Sequence, residues 1–198
     1  DSQKVTIGVS TQIEEADTTK KPLIVSTIDV TINSVADMPV WDNGVSVFDY
    51  NPVLDGSIIE DGGSVALTLK ADLFDSDGSE QLSFRIDNID ADLTLTYTDG
   101  GTKTVAEGSI LTQTQLNTLL ATSAENSAGL MTFEVIAIAT EQDNGDVIEH
   151  GAKLVSINVQ PVADVPELTV KNIYSDEDVA INVNEVISGQ LSDIDGSE

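Results

Sequence analysis

Apolar and polar residues alternate with a period of two along most of the 198-residue chain. Val65, Leu67, Leu69, Ala71 and Leu73 fall on one face, and Ala66, Thr68, Lys70 and Asp72 on the other. The same alternation runs through Leu82, Phe84 and Ile86, through Leu93, Leu95 and Tyr97, through Phe133, Val135, Ala137 and Ala139, and through Val155, Ile157 and Val159. Successive side chains of an extended backbone point to opposite faces, so this pattern predicts strands with one buried face. DGG (99–101), NSAG (126–129) and DNGD (143–146) supply turns between them. Only TQTQLNTLL (112–120) reads as helical, over two or three turns at most. About seven short strands separated by turns predict an all-β fold, an immunoglobulin-like β-sandwich.

The pattern repeats. VTINSVADMP (30–39) returns as INVQPVADVP (157–166), so that Val35, Ala36, Asp37 and Pro39 recur 127 residues later as Val162, Ala163, Asp164 and Pro166. DSDGSE (75–80) returns 118 residues later as DIDGSE (193–198). The nine-residue difference assigns extra residues to the first copy, within VWDNGVSVFDYNPVLDG. VTIGVSTQ (5–12) and FEVIAIATE (133–141) share their alternation. The expected frame is one complete repeat at 37–164. Residues 1–36 are the C-terminal part of a preceding repeat, and 165–198 the N-terminal part of the following one. The chain starts and stops inside patterned sequence and is expected to be an excerpt. Two other frames compete: a two-domain protein whose linkers match by accident, and a split domain made of the two ends with 37–164 inserted. Strands of 1–36 and 165–198 in one shared sheet would mark the latter.

Charge narrows the function. Asp and Glu outnumber Lys and Arg 35 to 8, a formal net charge of −27. Nucleic acid is excluded as a natural partner, because phosphate binding needs clustered cations, and an anionic membrane surface is disfavoured. No apolar run is long enough for membrane insertion or a signal peptide. Acidity on this scale leaves disorder, halophilic solubility or divalent-cation binding, and the regular Val, Ile and Leu alternation speaks against disorder. There is no cysteine, so a small extracellular domain would need another staple, such as a metal.

Strand direction gathers the acidic residues. With the ADMP linker at the top, the first strand descends to EDGG (60–63), and 64–74 climbs back to set DSDGSE beside Asp37. The last strand descends to ADVP. Glu60 and Asp61, then Asp164, then Asp193, Asp195 and Glu198 of the next repeat are therefore expected at one junction, with Asp37, Asp75, Asp77 and Glu80 at the other. In D-x-D-G-S-E two aspartates at i and i+2 can face one ion, glycine permits the turn, and the glutamate can offer both oxygens. Calcium, which takes six to eight hard oxygens in irregular geometry, suits this set better than magnesium. Zinc is disfavoured with no cysteine and a single histidine, His150. The competing reading of D-x-D-G is a plain polar turn.

The V-x-x-V-A-D-x-P linkers, the Glu-Asp pair before the second strand and the DSDGSE and DIDGSE loops together resemble the extender repeats of giant bacterial RTX-type adhesins. The resemblance spans the whole chain, and the loop is its most specific element. It implies Ca2+-bound Ig-like or cadherin-like tandem repeats, type I secretion, and retention at the bacterial cell surface for biofilm formation or host attachment. The glycine-rich RTX nonapeptides are absent from the chain, and the nine extra residues and Trp41 depart from a plain spacer.

Three functions compete. The first is a calcium-rigidified structural extender whose partners are neighbouring repeats of the same chain. The second is a module that binds a cell-surface glycan or protein through Trp41, Phe48 and Tyr50, against which stands ordinary packing of these aromatics at a sandwich edge. The third is a hydrolase using paired carboxylates such as Asp75 and Asp77. Two aspartates on one glycine loop suit an ion better than a substrate cleft, and no G-x-S-x-G, H-E-x-x-H or phosphate loop occurs. His150 reads as a loop residue. A non-enzymatic protein is expected.

Overall fold

The computed structural model describes residues 3–11, 23–41, 58–75, 77–191 and 196. The chain is all-β. Strands β1 (Gln3–Thr11) and β2 (Ile24–Ile32) form an antiparallel hairpin. The central body follows the 33–39 linker. It contains β3 (Val40–Trp41), β4 (Ile58–Ile59), β5 (Ser64–Ala66), β6 (Ala71–Asp72), β7 (Glu80–Asp87) and β8 (Leu93–Thr98). Then come β9 (Thr102–Thr104), β10 (Ser109–Leu111), helix α1 (Gln113–Leu116), β11 (Leu120–Ser123), β12 (Gly129–Glu141), β13 (Val147–Glu149) and β14 (Lys153–Gln160). Beyond the 161–166 linker, β15 (Glu167–Val170) pairs with β16 (Ile187–Gln190).

Two main sheets enclose the core. One has the order β10-β7-β12-β14-β4, with β13 also paired to β12; the other has the order β5-β11-β8-β9. Within the first sheet β4 runs parallel to β14, and the other pairs are antiparallel. Phe84 and Phe133 from the first sheet and Leu95 and Ala121 from the second are almost wholly buried in a single cluster. The inward positions are those that the alternation marks, as in β14, where Val155, Ile157 and Val159 are buried between exposed or half-buried neighbours.

Two details differ from the sequence expectation. The run 64–74 is not one strand. Its start, β5, pairs with β11, whereas its end, β6, pairs with β3 in a separate two-stranded sheet. Alternation persists across the break, because residues 65, 67, 69, 71 and 73 are all wholly or partly buried; period two fixes which face is inward but not which sheet accepts the strand. The helical segment is also shorter than two turns. Thr112 caps it in a capping box with Gln115. Its last residue, Leu116, is fully buried, as is Leu119, and the chain is already extended at Leu120.

The terminal segments pair within themselves. Among the described residues β1 joins only β2, β15 joins only β16, and no sheet holds strands from both ends.

Candidate functional site

Carboxylates hold both linkers of the central body, at opposite ends of β12. Thirteen residues of strand separate these ends by about 40 Å at ~3.3 Å per residue. At the first end, the incoming linker lies against two turns. Asp37 donates its backbone N–H to Glu80 Oε1. Ala36 donates its N–H to Asp146 Oδ2 at 3.0 Å, and Asn144 Nδ2 donates to the Ser34 carbonyl at 2.7 Å. Ala36 is buried as a result. Glu80 opens β7 and Glu141 closes β12, and the two are register partners. Ser79 joins these strand ends. Its hydroxyl donates to Glu141 Oε2 at 3.2 Å, and its carbonyl accepts from Gln142 N–H at 2.9 Å.

The DSDGSE loop precedes this point as a short ladder. Asp75 Oδ1 accepts from Asp77 N–H at 3.0 Å, and Asp77 Oδ1 accepts from Ser79 N–H at 2.8 Å. The Ser79 hydroxyl and backbone N–H together hold the Asp77 carboxyl well below the usual carboxylate range. Gly78 turns the chain at φ 89°.

At the opposite end, Glu60 does for the outgoing linker what Glu80 does for the incoming one. Val162 donates its N–H to Glu60 Oε1, and Glu60 N–H donates to the Gln160 carbonyl at 3.2 Å. Asp61 sits at φ 64°, and its Oδ1 accepts from Asn126 N–H at 3.0 Å. Asp178 of the following segment adopts φ 65°, and like Asp61 it is the aspartate of a Glu-Asp pair. Asp164 is half-buried on the same linker. Gly196 lines a cleft of about 360 Å³ with Gly129, Val159, Gln160 and Pro161, beside the outgoing linker. Asp193, Asp195 and Glu198 lie outside the described residues.

Three of these carboxylates are buried beyond what their hydrogen bonds explain. Glu60, Glu80 and Glu141 are 3%, 6% and 2% exposed. Each keeps one buried carboxylate oxygen without a hydrogen-bond partner: Glu60 Oε2, Glu80 Oε2 and Glu141 Oε1. Among the described residues Lys4 pairs with Asp29, Lys70 with Asp72, and Arg85 with Asp87 and Glu149. A buried carboxylate without a counter-charge costs several kcal/mol. A hard cation fits that requirement, and the donor set is all oxygen. Among the described residues no three acidic or histidine side chains already converge as a group able to hold a metal ion. The fit therefore rests on the buried oxygens and on the chemistry of the donors.

Glu141, Asn144 and Asp146 carry no weight in the sequence reading, which takes DNGD as a turn alone. One signal was present: Glu141 continues the inward parity of Phe133, Val135, Ala137 and Ala139, so a carboxylate stands where an apolar residue is due.

Trp41 is 8% exposed, with its ring 5.9 Å from that of Phe84 and edge-on to His150 at 6.4 Å. It packs into the core and offers no open aromatic face, which corrects its candidacy as a ligand platform. Phe48 and Tyr50 lie outside the described residues. No family model matches the chain, and no curated protein shows significant similarity to it.

Proposed function

We propose that this chain is a calcium-rigidified structural extender: tandem Ig-like β-sandwich repeats of a large secreted cell-surface adhesin, holding a distal binding domain away from the bacterial surface for biofilm formation or host attachment. The observation that carries the reading is the pairing of each linker with a buried glutamate that keeps one oxygen unpartnered. One oxygen fixes the linker backbone and the other is left for a cation. Ca2+ would be held by Glu80 and Glu141 with Asp37, Asp75, Asp77 and Asp146 at the incoming linker. At the outgoing linker the set would be Glu60, Asp61 and Asp164, with Asp193, Asp195 and Glu198. Bound there, the ion neutralises clustered carboxylates and ties adjoining repeats together, so the linkers stiffen. The role is mechanical, with neighbouring repeats as partners, and no catalytic step is assigned to any residue. The adhesin context, type I secretion and extracellular location rest on the resemblance of the linkers and DxDGSE loops.

Calorimetric titration with calcium, paired with small-angle scattering in chelator and in millimolar calcium, tests this. Expected are binding in the micromolar to millimolar range, its weakening in Glu80→Gln and Glu60→Gln, and a longer, stiffer particle with calcium. No heat of binding and an unchanged scattering profile would reduce the acidic loops to polar turns.

A further inference from the structure

The β1–β2 hairpin is sorted into two faces. Its register pairs Val5 with Val30, Ile7 with Ile28 and Val9 with Ser26, so Val5, Ile7, Val9, Ile28, Val30 and Ile32 share one face. Lys4, Thr6, Asp29 and Thr31 occupy the other, where Lys4 and Thr6 both bond Asp29. Among the described residues nothing covers the apolar face: those six residues are 40–54% exposed. A contiguous exposed apolar strip of this kind marks an interaction surface.

The central body contains the same hairpin with its cover in place. In β12–β14, Met131 pairs with Ile157, Phe133 with Val155 and Val135 with Lys153. Ile28, Val30 and Ile32 correspond to Val155, Ile157 and Val159, 127 residues on, which is also the spacing of the linkers. Val5, Ile7 and Val9 correspond to Met131, Phe133 and Val135, 126 residues on. The pairing is reproduced residue for residue. In the central body these six inward positions are 0–5% exposed, because Leu93, Leu95 and Ala121 of the β5-β11-β8-β9 sheet share their core. Strand β12 also carries β7 on the edge away from β14, whereas β1 has no second neighbour among the described residues. The other terminal hairpin follows the same rule: Glu167↔Gln190 and Leu168↔Gly189 in β15–β16 copy Val40↔Asp72 and Trp41↔Ala71 in β3–β6. It therefore supplies a different part of a repeat and not the missing sheet.

We infer that the apolar face of β1–β2 is half of a second sandwich core, and that it docks a sheet of the β5-β11-β8-β9 kind together with a β7-like edge strand, from a stretch of repeat equivalent to residues 40–128. The inference rests on the tandem-repeat part of the proposed function and not on calcium, so the two can fail separately.

The test joins a second copy of residues 37–128 directly to Gln3 of the chain, which puts Gln3 at the register of Gly129, and follows amide hydrogen exchange with chelator present. In the 198-residue chain alone, the Val5, Ile7, Ile28 and Val30 amides are expected to exchange at least tenfold faster than those of Phe133 and Val155. In the joined protein they should slow by at least 100-fold. Ile7→Asp in the joined protein should abolish that slowing and leave the Phe133 and Val155 amides unchanged. Fast exchange of the hairpin in the joined protein, while the central body stays protected, overturns the inference. So does protection in the 198-residue chain that rises with protein concentration, since it assigns the face to a second copy.

Discussion

Gly63 is the position where the fold and the outgoing linker clamp are most tightly joined, and Gly63→Ala is the perturbation that exposes the link. Its backbone needs no left-handed angle, so the constraint is space. A Cβ there would lie 2.7 Å from Ile59 N and 3.0 Å from Ile58 Cγ2, and closer still to the Ile59 carbonyl oxygen. Two of these three atoms are backbone, so no rotamer relieves the clash. Reaching ordinary van der Waals distance requires the 59–63 turn to open by on the order of 1 Å. The Gly63 N–H···O Ile59 bond, now 3.0 Å, lies directly in the way, and so do the parallel pairs Ile58↔Val159 and Ile59↔Gln160. Overpacking costs about 1–3 kcal/mol, and one or two lost hydrogen bonds add about 1 kcal/mol each. A loss of about 2–5 kcal/mol is a large share of a domain stability of roughly 5–15 kcal/mol, and should lower the melting temperature by on the order of 10 °C. Gly62→Ala is the control. Its φ of 118° strains alanine, yet nothing lies within 4 Å of the added carbon, so only backbone strain of about 1–3 kcal/mol is expected. Urea denaturation gives the two losses. Exchange of the Val162 amide reports the clamp, because Glu60 follows Ile59 directly and moves with it. A loss under about 0.5 kcal/mol in Gly63→Ala, or one equal to that of Gly62→Ala with Val162 still protected, would refute the steric link.

Replacing Glu141 by Gln should change sign with conditions. In chelator the neutral amide relieves an uncompensated buried carboxylate and should stabilise by about 1–3 kcal/mol, whereas in millimolar calcium the variant should be less stable than the parent; melting curves in both buffers check this, and the same sign in both would count against a cation at the incoming linker. Acid should unfold the protein through carboxylates whose folded-state affinity for protons is lowered. Asp77 is held low by Ser79, and Glu149 by Arg85, so their stabilisation is complete above the ordinary carboxylate range and is lost as the pH falls through about 4 toward about 2. Thermal melts at pH 7, 5, 4, 3 and 2 should be level at first and then decline. Ser79→Ala, which removes the first contribution at Asp77, should soften the acid limb, and an unchanged limb would contradict that assignment.

Much of the fold is visible in the order of residues because period two is a geometric property of extended chain. It marks Phe84, Phe133 and Val155 as inward, and the structure buries all three. What alternation cannot carry is the identity of a strand's neighbour. The split of 64–74 between two sheets depends on whether β3 or β11 lies alongside, and both are remote in sequence. The linkers show the same division. Val-Ala-Asp-x-Pro and DSDGSE are recognisable as a repeated pair, and the structure joins their backbones through Asp37 N–H and Glu80. The grip of Asn144 and Asp146 on Ser34 and Ala36 spans 110 residues, and no local pattern announces it. Three of the acidic residues at the linkers nonetheless have a common signature in hindsight. Glu80 opens β7, Glu141 closes β12 and Glu60 directly follows β4, each on the inward side, where an apolar residue would be the cheaper choice. A buried glutamate at the last inward position of a strand costs stability unless something beyond the strand meets it. In this chain part of what meets it at Glu60 and Glu80 is the linker's own N–H. The clamp is therefore a consequence of where the alternation is broken, and the breaks, more than the alternation, locate the site.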